Sequence, residues 1–346
     1  MLLSIVAFLF IILVCVLVHE FGHYITAVFC GVKVHEFSFG MGPLVWQKQG
    51  KYNKWSVRAF PIGGFVRLAG MGEENDGEKL LPGESFSEKA PWKKLIILAA
   101  GAFNNILLAI LIATFLLMSR GVMDLSVAKI GELMTGFPAE QAGLQVGDVI
   151  TTVGGVKVSN WEDMTTEIRS QAAKGGEVSL TVKRGKDNIS LKLGTKNENP
   201  EGPPLIGIRP AIKKLGLIQA LRGSVYYAWY MMKAMLQGLK ELITRPSQVE
   251  VSGPVGIAAM AGQAAHEGFY SLLMFLTIIS LNLGVINLLP IPALDGGHIL
   301  FALCELISRR RIPLEFQGKI NYIGFILLIA LIILVTGHDV IKLIVH

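Results

Sequence analysis

Charge is scarce in this chain of 346 residues: 17% of positions are Asp, Glu, Lys or Arg, against 52% hydrophobic ones. With a mean hydropathy of +0.52, that shortage excludes a soluble globular domain and, more firmly, a disordered chain. Cysteine is scarcer still. Cys15, Cys30 and Cys304 sit in or beside apolar segments at no metal-ligand spacing, which excludes a disulfide framework and a thiolate site. The 32 Lys and Arg outnumber the 26 Asp and Glu, yet no basic stripe with interleaved aromatics is present, so nucleic acid is not an expected partner. The excess is what loops facing anionic lipid supply. No repeat of solenoid period is visible.

What is present in abundance is long apolar sequence. Leu2 to Val18, Leu95 to Met118 and Phe269 to Leu289 are long enough to span a bilayer, and a shorter run around Ile323 to Val335 spans once its flanks are added. The first run has no basic segment before it and no small-residue cleavage site after it, so it is expected to be retained rather than removed as a signal. The loop from Gly31 to Lys94 carries ten Lys and Arg, and Arg309, Arg310, Arg311 and Lys319 follow the third span. Both loops are therefore expected in the cytoplasm, with both termini and the long insert between spans two and three outside.

Two of these connections carry their own patterns. Between Val34 and Leu68 the hydrophobicity alternates with period two, punctuated by Gly40, Gly42, Gly63 and Gly64, as in short hairpins forming a small sheet. The acidic stretch Gly72 to Glu88 reads as a mobile surface loop. The insert reads as a compact mixed domain. It has a strand over Val127 to Leu133, a short helix over Pro138 to Ala142, a strand pair around Gly154 and Gly155, a helix capped by Ser159 and Asn160, and a closing hairpin up to Leu193. Its Gly143-Leu144-Gln145-Val146-Gly147-Asp148-Val149-Ile150 resembles the signature of PDZ domains attached to bacterial proteases. Leu215 to Thr244 is helical and amphipathic with Tyr226, Tyr227, Trp229 and Tyr230. It is either a helix at the outer membrane interface or an ordinary packed connector.

Chemistry concentrates at the end of the first apolar run, in His19-Glu20-Phe21-Gly22-His23. Positions i and i+4 of a helix lie about 40° apart in projection, so both imidazoles face one side and can share a cation, with Glu20 beside them. Zinc suits imidazole ligands and can activate water at an open position, from which a neighbouring carboxylate takes the proton. Ionisable groups on a membrane helix are costly unless they face a polar cavity with partners.

Two histidines leave a ligand missing. The third span contains Asn282 and Asn287 and then Leu289-Pro290-Ile291-Pro292-Ala293-Leu294-Asp295-Gly296-Gly297-His298. The prolines break the helix, and broken backbone at membrane depth requires protein or a wet cavity around it. Both Asp295 and His298 bind zinc by chemistry alone.

These motifs together resemble the site-2 protease family of intramembrane metalloproteases, most closely the regulator of sigma-E protease type. The resemblance rests on His19 to His23, on Asn287 to Gly296 and on the PDZ insert between spans two and three, and it covers nearly the whole chain. It implies one zinc ion per chain held by His19, His23 and Asp295, with Glu20 as acid and base and Asn282 and Asn287 binding substrate. Phe39-Gly40-Met41-Gly42 resembles the family's membrane-dipping β-element, and Ser252 to Ile257 matches a family segment. Ala102 departs from the commoner Gly-Pro pattern of the second span.

The expected architecture is a polytopic α-helical membrane protein of about four transmembrane helices, with a small cytoplasmic-side β-element and an inserted extracytoplasmic PDZ domain of α+β type. Its expected segments are a first span with the histidine motif (1–30), the sheet-bearing loop (31–93), the second span (94–120), the PDZ domain (121–210), a helical connector (211–268), the third span with its Asp295 motif (269–308), and the basic loop, fourth span and tail (309–346). By resemblance, the enzyme resides in the bacterial cytoplasmic membrane and performs regulated intramembrane proteolysis on single-span proteins. Its substrates would be anti-sigma factors or remnant signal peptides, and a peptide or chain terminus is a further partner at the PDZ domain. A substrate helix hides its carbonyls in i to i−4 bonds, so the sheet between Val34 and Leu68 is expected either to hold it extended by β-addition or to act as a lid.

Overall fold

The computed structural model describes residues 2–51, 53–71, 80–173, 177–196, 205–245 and 252–345. Much of the acidic stretch expected as a surface loop, residues 72–79, lies outside them. The chain divides into two compact units, one formed by Met1–Phe115 with Leu221–His346 and the other by Leu116–Ala220.

In the first unit, α1 (Leu2–Phe29) is followed by β1 (Val34–Gln49) and β2 (Lys54–Leu68), then by α2 (Pro91–Arg120). The two strands bend back on themselves into one small sheet: residues 34–39 lie between residues 64–68, to which they run antiparallel, and residues 54–57, which pair in turn with residues 46–49. This is the small sheet of short segments that the period-two alternation implies: Gly40, Gly42 and Gly63, all at positive φ, stand where β1 and β2 bend from one partner to the next. Within this sheet, buried Glu36 accepts hydrogen bonds from Ser56 and Arg58.

The described residues of this unit from Leu221 onward are mainly helical, in α5 (Leu217–Thr244), whose first turn belongs to the other unit, α6 (Pro254–Glu267), α7 (Phe269–Leu288), α8 (Asp295–Ser308) and α9 (Leu314–Val345). Among the described residues, four helices are long and apolar enough to cross a membrane, Leu2–Phe29, Pro91–Arg120, Phe269–Leu288 and Leu314–Asp339. The fourth is much longer than its apolar centre, because the flanking Glu315, Lys319 and Asp339 are accommodated within the helix. The third expected span is broken, as Pro290 and Pro292 require, into α7 and α8. Helix α6 was not legible as a separate element, since its small residues carry little amphipathic contrast. It packs Ala261 against Ala7, Ile11 and Cys15 of α1 and Leu276 of α7.

Helix α5 packs as a connector within this unit. Its Ala228 meets Ala109 of α2 and Leu281 of α7, and its Ser224 hydroxyl shares a hydrogen bond of 2.7 Å with Thr114 of α2. Lys94 of α2 and Glu305 of α8 form a buried ion pair at 2.8 Å.

The second unit holds the short strands β3 (Val122–Met123) and β4 (Ile130–Leu133), α3 (Pro138–Gln141), β5 (Val149–Val153), β6 (Val156–Lys157), α4 (Trp161–Ala173), β7 (Val178–Arg184), β8 (Asp187–Leu193), β9 (Ile208–Pro210) and β10 (Ile212–Lys213). A four-stranded sheet has the order β6-β5-β7-β8, while β4 pairs with β9 and β3 with β10. Alternate residues Val178, Leu180 and Val182 of β7 join Ile130, Ile150, Val153 and Met164 in one core. The cap of α4 forms as its sequence implies, with Asp163 N–H donating to Asn160 Oδ1 at 2.8 Å. Asp148 is buried under a two-pronged contact from Arg184, whose Nε and one terminal nitrogen each lie 2.8 Å from a carboxylate oxygen. That guanidinium holds the Asp148 carboxyl below the usual range for aspartate, against the opposing effect of burial.

Candidate metal centre

The helical spacing of His19 and His23 brings their Nε2 atoms to 3.2 Å from each other on the buried side of α1. Helix α8 begins at Asp295, and its Oδ2 lies 2.9 Å from His19 Nε2 and 3.2 Å from His23 Nε2. Among the described residues these three form the group of ligand atoms that can hold one ion. The family resemblance implied the same three, where residue chemistry alone left Asp295 and His298 both open.

The environment of the second histidine tests whether a cation fits. His23 Nδ1 lies 2.8 Å from the carbonyl of Ile97 on α2 and donates to it, so in the neutral ring Nε2 carries a bare lone pair. That lone pair faces Asp295 Oδ2, a buried oxygen that no hydrogen bond of proper geometry satisfies. Two acceptors at 3.2 Å repel unless a positive charge sits between them. Two imidazole nitrogens and a carboxylate oxygen are donors that zinc accepts.

His298 is not part of this group. Its Nε2 lies 3.2 Å from the amide nitrogen of Asn321 on α9, which donates to it. The two candidates therefore separate by partner, Asp295 toward the histidines and His298 toward α9.

Glu20 neighbours His19 on α1 and is partly exposed. A Cβ on Gly64 of β2 would lie 3.6 Å from Leu17 and 3.8 Å from Val16 of α1, so β2 packs against the helix just before Glu20. Asn282 is half-buried and Asn287 buried on α7. Neither amide has a hydrogen-bond partner among the described residues.

Sequence reasoning missed the part played by α2. A Cβ on Gly22 would lie 2.4 Å from the carbonyl oxygen of Ala100, and one on Gly101 would lie 2.4 Å from His23 Nε2. Small residues thus let the two helices touch backbone to backbone, as membrane helix pairs require for close approach. Ile97, Gly101 and Asn105, at i, i+4 and i+8, form one buried face of α2 against the two imidazoles. The available signal was a glycine and an asparagine four apart in an apolar span.

Three converging donors, two of them beside Glu20 on a helix of membrane-spanning length and the third at the start of α8, form a centre of metallopeptidase type. The family model described as Peptidase family M50 matches residues 7–331, and the chain belongs to that family, the site-2 proteases. A Clostridium acetobutylicum relative, provisionally named a zinc metalloprotease, is 35% identical over 330 residues, 95% of this chain and 94% of its own length. A Fusobacterium nucleatum relative with the same provisional name is 36% identical over 336 residues, 95% and 96% of the two chains. The zinc metalloprotease RasP of Oceanobacillus iheyensis is 29% identical and covers 98% of this chain and 99% of its own. Among solved structures, the PDZ domain of an SdrC-like protein from Listeria monocytogenes is 22% identical, covers 24% of this chain and 85% of its own, and has a TM-score of 0.20.

Proposed function

We propose that this protein is an intramembrane zinc endopeptidase that cuts single-span membrane proteins near their cytosolic side. The observation that carries the reading is the meeting of His19 Nε2, His23 Nε2 and Asp295 Oδ2 beside Glu20, with His19 and His23 on a helix apolar enough to cross a bilayer. His19, His23 and Asp295 would hold one zinc ion, which when bound supplies Lewis acidity toward water and the scissile carbonyl. Glu20 takes a proton from the attacking water at its carboxylate and returns it to the leaving amine nitrogen. The unpaired amides of Asn282 and Asn287 donate to the backbone of an extended substrate. The β1–β2 sheet, packed against α1 just before Glu20, holds that substrate open by strand addition.

The basic loops assign the β1–β2 sheet and the centre to the cytoplasmic side of a bacterial cytoplasmic membrane, with residues 121–210 outside as a PDZ domain. That domain either binds a chain terminus or admits substrates by size. Substrates of this class are anti-sigma factors trimmed beforehand or remnant signal peptides.

The test compares purified wild type with Glu20→Gln. Both are expected to bind zinc equally, while cleavage of a model single-span substrate falls by about 100-fold or more in the variant. Equal turnover by both overturns the reading.

A further inference from the structure

The first histidine presents a puzzle that its neighbour does not. Its Nε2 points at Asp295 Oδ2 at 2.9 Å, on the side where the ligand atoms converge. For Nε2 to offer a lone pair there, the ring proton must sit on Nδ1, and a buried Nδ1–H needs an acceptor. The only group that hydrogen-bonds Nδ1 among the described residues is the side chain of Asn105 on α2, fully buried, whose Nδ2 lies 3.4 Å away. An amide nitrogen cannot accept. At the same time Asn105 Oδ1 is buried without any hydrogen-bond partner. Oxygen and nitrogen of an amide are assigned by the bonds they make, and turning this amide about its last torsion places the stranded acceptor against the stranded donor.

We infer that Asn105 is a positioning residue for the metal centre: its Oδ1 accepts the Nδ1–H of His19 and so fixes the tautomer and ring orientation that aim Nε2 at the ion. The inference rests on the zinc reading above. It gives α2 a matched pair of acceptors, the Ile97 carbonyl for His23 and the Asn105 amide for His19, two turns apart on one helix face. A histidine ligand commonly has such a partner on its other ring nitrogen, and removing it typically costs 10- to 100-fold in metal affinity. The backbone of Asn105 is separately anchored, since Ser280 Oγ of α7 donates to its carbonyl at 2.8 Å, so a side-chain substitution leaves that contact in place.

The experiment measures zinc dissociation constants by chelator competition for wild type, Asn105→Leu and Asn105→Asp, with the thermal midpoint of each metal-free protein. Asn105→Leu, which keeps the shape and loses the acceptor, is expected to weaken zinc binding by about 10- to 100-fold. Its metal-free midpoint should change little, because without the ion the His19 proton can sit on Nε2 toward Asp295, which strands no buried donor at Nδ1. Asn105→Asp keeps the acceptor and is expected to bind zinc within about threefold of wild type. Nitrogen-15 spectra of histidine-labelled, zinc-loaded wild type should show His19 protonated at Nδ1, a measurement that needs no variant to fold.

Unchanged affinity in Asn105→Leu, an Asn105→Asp as weak as Asn105→Leu, or an unprotonated Nδ1 at His19 would each overturn the inference alone. So would a loss of affinity matched by a lower metal-free midpoint. Wild type that takes up no zinc would overturn the metal reading as well, which keeps the two failures apart.

Discussion

Gly22 of α1 and Ala100 of α2 meet without a side chain between them, at a spacing where a Cβ on the glycine would lie 2.4 Å from the alanine carbonyl oxygen. This contact lies within the histidine motif itself, one residue before His23. It brings the Ile97 carbonyl within 2.8 Å of His23 Nδ1 and leaves Gly101 directly beneath both rings. The site is therefore a property of a helix crossing as much as of its ligands.

Gly101→Ala tests that crossing. Its new methyl would stand 2.4 Å from His23 Nε2 and 2.7 Å from His19 Cε1, so the rings must move. Displacements of about 1 Å at a reacting centre cost on the order of 100-fold in rate. The expected outcome is an α-helical, membrane-inserted variant with substoichiometric zinc and cleavage lowered by about that factor, measured by metal analysis and substrate turnover. Full zinc and full activity would show that the close approach is not needed.

Asn321 of α9 tests how Asp295 is held. Ala293, two residues before Asp295, has a φ of 71°, a left-handed conformation that costs a residue with a side chain roughly 1–2 kcal/mol. Asn321 Oδ1 accepts the Ala293 N–H at 3.3 Å while its Nδ2 donates to His298. Asn321→Leu removes both bonds and should let the segment relax, lowering cleavage by about tenfold while membrane insertion persists. Asn321→Asp keeps the acceptor for Ala293 and should retain more activity. Equal cleavage by all three proteins would dissociate α9 from the geometry of Asp295.

Acid sensitivity of the second unit follows from Asp148. Arg184 lowers its folded pKa below the unfolded value of about 3.9. The stabilisation is therefore complete above that value and is lost as pH falls through the lower folded one. Hydrogen exchange of β7 amides in the full chain, corrected for intrinsic rates, should show protection falling below about pH 4. In Arg184→Leu the protection should be weaker at neutral pH and change less on acidification. Identical profiles would mean that the pair does not contribute.

The sequence made the ligands readable and left their supports obscure. His19, Glu20 and His23 stand out because two imidazoles four residues apart share one helix face; the prolines that break the third apolar run marked the segment holding both Asp295 and His298, and only the family resemblance chose Asp295. The cap at Asn160 and the strands around Ile150 and Leu180 were legible for the same local reason, as each is set by residues within a few positions. By contrast, a backbone carbonyl such as that of Ile97 has no signature in sequence, and Gly101 gains meaning only when a second helix crosses it. The small sheet from Val34 to Leu68 was legible from its alternation and its glycines, while the pairing of residues 34–39 with both 64–68 and 54–57 was not, because it depends on partners remote in sequence.

Helix α9 meets its neighbours in an unusual way for so apolar an element. Its hydrophobic flanks are largely uncovered, while Asp339 accepts N–H bonds from Gly253 and Gly256 at the start of α6 and Asn321 grips the segment before Asp295. Apolar side chains in lipid gain little by exchanging acyl tails for one another. The azimuth of this rod is consequently set by two directional latches placed about five turns apart, so turning it about its own axis would undo both together rather than loosen it by degrees.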